Sequence, residues 1–187
     1  MNPESDEALA VRAGRGDRAA FDEIARRHKV ALYRFIRRYI GHHDDSYDVL
    51  QETFIAAWMA SGRYDGSRPF LPWLRTIGLI KCRDFARRQT VRRLLLRARA
   101  AEPQDTLENP LLPSDDVRET QRLNRLDAAI AELPAFYKEP LLLASVSGLS
   151  HQETAEILKT TPKAVEMRIY RAKRKLEEIM GPDLPEG

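Results

Sequence analysis

The stretch from Ser150 to Leu176 constrains this chain more than any other, because its punctuation leaves room for two helices joined by a tight turn. Ser150 with Glu153 three residues on forms a capping box that opens a short helix, and Gly148 just ahead suits the end of a preceding one. Ala155 and Leu158 share a face of that helix. Lys159 to Thr161 make a polar turn, after which Thr161 serves as N-cap to a second helix with Pro162 at its tolerated first position. In this second helix Val165, Ile169, Ala172 and Leu176 recur at spacings of four, three and four, so they bury together. Lys163, Glu166, Met167, Arg168, Arg171 and Lys175 are left facing outward. A helix-turn-helix with such an outer face suits the major groove of duplex DNA, its first residues at base edges and its later cations at phosphates. A core helix with a solvated basic face would carry the same charge, but the short first helix and tight turn favour DNA.

The remaining periodic segments also have helical spacing, so the fold class is all-α, with two small helical domains and the helix-turn-helix in the second. One helix gathers Phe21, Ile24, Leu32, Phe35, Ile36 and Tyr39 to one side and ends at Gly41 to Asp45. A second runs from about Asp45 to Ala60 with acids in its first turn, where the helix dipole favours them. After a loop from Gly62, a third begins near Pro69 and turns Phe70, Trp73, Leu74, Ile77 and Ile80 or Lys81 towards the core. Residues 96–118, with Pro103, Pro110, Pro113 and several acids, have the composition of a flexible acidic linker. This divides the chain into a domain at 1–95, the linker, a domain at 119–181 and a tail at 182–187. Pro140 falls inside a helical pattern and removes one backbone hydrogen bond from it.

The net charge of +3 says little, but its distribution says more. From Arg83 to Arg99 seven arginines stand against the single acid Asp84, and the next twenty residues reverse the sign, a segregation that suits a polyanion. The lone Cys82 excludes an internal disulfide, no Cys/His spacing resembles a zinc site, and His42 and His43 read as loop residues. With neither an apolar run of membrane-spanning length nor a signal peptide, a cytoplasmic location is expected. No phosphate-binding loop, nucleophile elbow or metalloenzyme motif is present, and the scattered carboxylates form no convincing catalytic pair, so the chain is not expected to be an enzyme.

Between Asp48 and Trp58 the string DVLQETFIAAW turns Val49 or Leu50, Phe54, Ala57 and Trp58 to burial and Asp48, Gln51, Glu52 and Ile55 to other faces. Followed by YDGSRPFLPWLRTIG from Tyr64 to Gly78, and later by the helix-turn-helix, it resembles the region 2 and region 4 pair of a bacterial RNA polymerase sigma factor. The short length and the direct joining of the two domains resemble the extracytoplasmic-function class.

That resemblance implies partners and roles. The helix matching Asp48 to Trp58 would dock on a coiled coil of the polymerase core, with Asp48, Gln51 and Glu52 as core-binding residues; without it, Asp48 and Glu52 read as solvated acids. The −10 promoter element would be held as melted single strand by Tyr64, Asp65, Gly66, Ser67 and Arg68 in the loop, and by Arg75, Lys81, Arg83, Arg87 and Arg88 on the helix that follows. Aromatic stacking contributes about 1 to 3 kcal/mol per base, and cations track the backbone. Trp73 reads mainly as packing, and Asp65 or Ser67 as alternative caps for the helix near Pro69. The −35 duplex would meet Lys163, Ala164, Glu166, Met167, Arg168 and Arg171. Glu166 can accept from a cytosine amino group or pair with a neighbouring cation. The resemblance further implies promoter opening and control by an anti-sigma factor; from the motifs, no cofactor or metal is expected. Two other readings are a repressor or activator that uses only the helix-turn-helix and binds duplex DNA tightly without polymerase, and an adaptor whose Arg83 to Arg99 stretch binds an acidic partner.

Overall fold

The computed structural model describes residues 4–98 and 115–181. Most of the 96–118 linker and the 182–187 tail therefore lie outside the described residues. Among those described, all regular structure is helical, in the order α1 (Asp6–Gly14), α2 (Arg18–Ile40), α3 (His43–Ala60), α4 (Phe70–Ala98), α5 (Asp115–Glu132), α6 (Ala135–Leu141), α7 (His151–Leu158) and α8 (Pro162–Met180). Both α4 and α5 run into the segment whose composition suggests a linker.

Helix α2 is the spine of the first domain. Asp17 caps it by accepting from the Ala20 N–H at 3.1 Å, and Gly41, at φ +91°, ends it in the left-handed region that favours glycine. Ala20, Ile24, Leu32, Phe35, Ile36 and Tyr39 form its buried stripe, against which α1, α3 and α4 pack. Truncation of Phe35, fully enclosed there, to alanine is expected to cost about 3 to 5 kcal/mol. On α4 the inward positions are Phe70, Leu74, Leu79 and Cys82, whereas Ile80 is exposed and Lys81 and Trp73 are only half-buried. The sequence pattern leaves α1 unmarked. It is nonetheless capped by Ser5, buries Leu9, Ala10 and Ala13, and is tied to α2 by Asp6, which binds Arg27 at 2.9 Å and His28 at 2.7 Å.

In the second domain α8 lies across α6, α7 and α5. Pro140 is buried at the sixth position of α6, and the chain widens directly after it into a π turn at Leu142–Val146. Ser147 N–H then reaches Leu142 O at 3.0 Å, before Gly148 turns out at φ +71°. A proline with no N–H to donate is accommodated in a helix that ends within two residues and changes pitch.

The two domains pack on each other through α2 with α5 and the π turn, and through α4 with α7. Lys138 is buried at this junction, its ammonium donating to the Tyr39 carbonyl at 3.2 Å and to that of Ala131 and lying 4.8 Å from the Tyr39 ring centre. Burial lowers its pKa from the ordinary lysine value. Arg38 donates to Asp127 at 2.9 Å on the same seam, and buried Cys82 has its thiol pKa pushed up by desolvation.

Candidate nucleic-acid interface

The helix-turn-helix is held by its caps. Ser150 Oγ accepts from Glu153 N–H at 3.1 Å while Glu153 Oε2 accepts from Ser150 N–H at 2.8 Å, closing the capping box. Lys159 ends α7 in the left-handed region at φ 51°, Thr161 Oγ1 accepts from Ala164 N–H at 3.2 Å, and Pro162 opens α8. Val165, Ile169, Ala172 and Leu176 are all buried, with Met180 continuing their line.

Of the outward residues, Lys163, Glu166, Met167 and Arg171 are exposed and Ala164 half-buried. Lys163 Nζ donates to Glu166 Oε2 at 2.9 Å, and this hydrogen bond holds the Glu166 carboxyl below its ordinary pKa. Arg168 is half-buried against the second domain's own surface, its guanidinium carbon over the Phe136 ring at 3.9 Å from the ring centre. Lys175 is 5.8 Å from the Tyr137 ring centre. Sequence reasoning passed over Tyr170, 57% exposed, and Arg174. Their places three and seven residues beyond Met167 put both on its face, a signal the helical spacing already carried.

On α3, Asp48 and Gln51 are exposed, while half-buried Glu52 accepts from Arg88 at 3.3 Å. The same outer face continues into Ile55 and Met59, the latter 76% exposed, so it is acidic at one end and apolar at the other.

The loop after α3 starts with a single 3₁₀ turn at Ser61–Arg63. Tyr64 folds its ring into a trio with Phe70 and Trp73, at centre distances of 5.7 Å and 5.1 Å, and its hydroxyl donates to the Arg68 carbonyl. Desolvation, with Glu7 and Asp65 adding to it, pushes the Tyr64 phenol up to about 12. Asp65 accepts from Ser67 N–H at 3.0 Å and Ser67 Oγ at 2.7 Å, bonds that lower its pKa. Neither Asp65 nor Ser67 caps α4: the Phe70 N–H donates to Glu7 Oε1 at 3.0 Å, from α1. Gly66 and exposed Arg68 complete the loop, with Arg68 3.5 Å from Asp65.

The cations of α4 do not form one open row. Arg75, expected to meet the −10 strand, is 1% exposed. It donates to the Ala31 carbonyl at 3.2 Å, lies 5.5 Å from the Phe35 ring centre, and burial lowers its pKa to about 10. It is a core group, because its position shares a face with Gly78, Leu79 and Cys82. Arg83 is held by the second domain: Glu139 accepts from its Nε at 2.7 Å and from its Nη2 at 2.5 Å, while Tyr39 OH donates to the same carboxylate at 3.2 Å. Arg87 pairs with Asp84 at 3.1 Å and stays exposed. Between the loop and α7 lies a cleft of about 780 Å³ lined by Arg63, Tyr64, Arg68, Trp73, Glu153 and Lys159. No group of three or more metal-ligating side chains, and no helix long and apolar enough to cross a membrane, occurs among the described residues.

Residues 24–92 match Sigma-70 region 2, and residues 123–176 match Sigma-70, region 4. The chain is 37% identical to the RNA polymerase sigma factor NccH of Alcaligenes xylosoxydans xylosoxydans over 179 residues, which is 96% of each chain. It is 37% identical to the RNA polymerase sigma factor CnrH of Cupriavidus metallidurans over 191 aligned positions, 98% of each. The solved structure of CnrH in complex with the cytosolic domain of CnrY superposes with a TM-score of 0.72 at 31% identity, covering 97% of this chain and all of that one. With two matched regions in the order of the two helical domains and relatives aligned end to end, the chain belongs to the extracytoplasmic-function class of bacterial RNA polymerase sigma factors.

Proposed function

We propose that this protein binds the polymerase core through the outer face of α3, anchors the −35 duplex with α8, and captures the melted −10 strand on the Tyr64–Arg68 loop and the first turns beyond it. The observation that carries this reading is the coexistence, in one chain of sigma-factor family, of a fully capped helix-turn-helix and a separate aromatic loop. The helix suits duplex DNA, whereas the loop suits bases that have left the stack. Asp48, Gln51 and Glu52 face outward or sideways on α3 as a docking helix requires. Lys163, Glu166, Met167, Tyr170, Arg171 and Arg174 form the groove-facing strip of α8, and Arg168, set against Phe136, supports its flank. On the first domain Tyr64, Asp65, Gly66, Ser67, Arg68, Lys81 and Arg87 remain within reach of a strand, and Arg83 and Arg88 join them once Glu139 and Glu52 let go.

Such a factor works by binding and remodelling DNA in the cytoplasm and breaks no covalent bond, so it is not an enzyme. CnrH was solved with the cytosolic domain of CnrY, and the sigma factor RpoE of Bartonella quintana with the anti-sigma factor NepR. An inhibitory partner of that kind would hold this chain off the core. Transcription in vitro with purified core polymerase and a genomic promoter library tests the reading, with permanganate footprinting of unpaired thymines as its physical readout. Core plus this protein should give reactive thymines near −10. Tight binding of the isolated protein to its duplex sites, with no opening by the holoenzyme on any of them, would establish an ordinary DNA-binding regulator instead.

A further inference from the structure

Helix α1 touches the segment leading into α4 at its start, its middle and its end. At the start, a Cβ on Gly14 would come within 2.6 Å of the Ser61 carbonyl oxygen, in the 3₁₀ turn before the loop. In the middle, a Cβ on Gly66 would come within 2.6 Å of Val11 Cγ2. At the end, Glu7 Oε1 accepts from the Phe70 N–H at 3.0 Å. Glu7, Val11 and Gly14 are spaced by four and three, so they occupy one face of α1, and that face lies along the loop.

The end contact answers a local need. The first N–H groups of a helix require acceptors from outside it, and Pro69, directly before α4, has no side-chain oxygen to offer. Asp65 is occupied with Ser67. Glu7 therefore caps α4 from sixty-three residues away, its carboxylate also facing the positive end of the helix dipole. The capped residue, Phe70, carries the ring on which Tyr64 and Trp73 rest, so the carboxylate fixes the floor of the loop. A flanking side of α1 is tied to α2 by Asp6, which binds Arg27 and His28.

We propose that α1 is a splint that sets the shape of the −10 loop, with Glu7 as a positioning residue acting through Phe70 and with Val11 and Gly66 fixing the height of the loop tip. The inference rests on the assignment of the Tyr64–Arg68 loop to strand capture. Glu7 is not assigned as a strand contact, since its carboxylate is engaged inside the fold by the Phe70 N–H.

The test measures binding of a fluorescent single-stranded −10 oligonucleotide to holoenzyme assembled from core polymerase and the full chain, beside core affinity and −35 duplex affinity. Glu7→Ala should weaken strand capture about five- to tenfold, the equivalent of a lost helix cap, with the other two affinities unchanged. Glu7→Gln keeps an acceptor oxygen without the charge and should restore capture to within about twofold on the same scale. Gly66→Ala should also weaken capture, and Val11→Ala in the same chain should recover it, a suppression that no general loss of folding would produce. Equal loss of all three affinities in Glu7→Ala, or no rescue by either compensating change, overturns the splint. So does unaltered capture in Glu7→Ala while Arg68→Ala, a change in the loop itself, impairs it. If Arg68→Ala and Tyr64→Ala also leave capture unchanged, the assignment of the loop is wrong and the splint falls with it.

Discussion

Replacing Glu139 with alanine should release the second domain from the first. Its side chain is only 9% exposed, and it accepts two hydrogen bonds from Arg83 and one from Tyr39 across the junction. Bonds to a charged group contribute about 1.5 to 3 kcal/mol each when both partners are dry. Arg83, however, keeps 47% of its side-chain surface and recovers water once the carboxylate is gone, so its share falls to the low end of that range. The Tyr39 hydroxyl is the more enclosed donor, and leaving it without its acceptor costs about 1 kcal/mol or more. Together these place the loss at about 2 to 3 kcal/mol, a shift of about thirty- to a hundred-and-fiftyfold towards undocked domains. Single-molecule energy transfer between dyes on cysteines introduced at the exposed Lys29 and Lys173 reads that equilibrium directly. Cys82, which undocking would uncover, is replaced by alanine in the labelled proteins. Helix content measured by circular dichroism should be unchanged, and Glu139→Gln, which keeps hydrogen bonding, should fall between the two. A distance distribution identical to wild type in Glu139→Ala would refute the claim that this carboxylate holds the domains together.

Arg171→Ala should weaken −35 duplex binding, by about 1 to 3 kcal/mol with relaxed preference at one base pair if the contact is to a base, or with a salt slope smaller by about 0.9 if it is to a phosphate. Wild-type behaviour in both titrations removes Arg171 from the interface. Asp48→Lys with Glu52→Lys should reduce core affinity while leaving thermal stability within about 1 kcal/mol, since neither side chain belongs to the packed face; undiminished core binding would exclude them. Arg75→Met should leave −10 strand capture intact and raise the melting temperature, because an enclosed guanidinium with one carbonyl partner and an unpaired Nε is exchanged for apolar volume; reduced capture at unchanged stability would return Arg75 to the DNA surface. The Tyr64 phenol should titrate near pH 12 in a difference spectrum against Tyr64→Phe. Its folded pKa lies above the unfolded value near 10, so its contribution to stability is complete below that value and disappears as pH rises through the folded one; a midpoint near 10 would contradict the enclosed ring.

The helix-turn-helix was legible because each of its boundaries is marked by a residue that acts locally: Ser150 and Glu153 on each other, Thr161 on Ala164, Pro162 through its own ring. Helix α1 was not, because a nine-residue helix that buries one leucine and two alanines has little apolar signal, and its partners Phe70, Ser61 and Gly66 are distant in the chain. The resemblance puts Arg75 at the −10 strand, whereas the structure buries it. Its spacing from Gly78, Leu79 and Cys82 carried the correction, but only knowledge of what α4 packs against shows that a guanidinium fits there. The partners of Arg83 and Arg88 were beyond local reading, since Glu139 and Glu52 meet them only after whole helices have docked.

Those two arginines change what a salt titration of promoter binding can count. Each must leave an internal carboxylate before it can meet a phosphate, and added salt weakens both the pair being left and the pair being formed. The two dependences oppose one another, so Arg83 and Arg88 add less to the observed slope than cations that start out facing water. The number of phosphates inferred from ionic strength alone will therefore fall short of the number this protein touches, and the shortfall measures how much of its positive surface is kept in reserve.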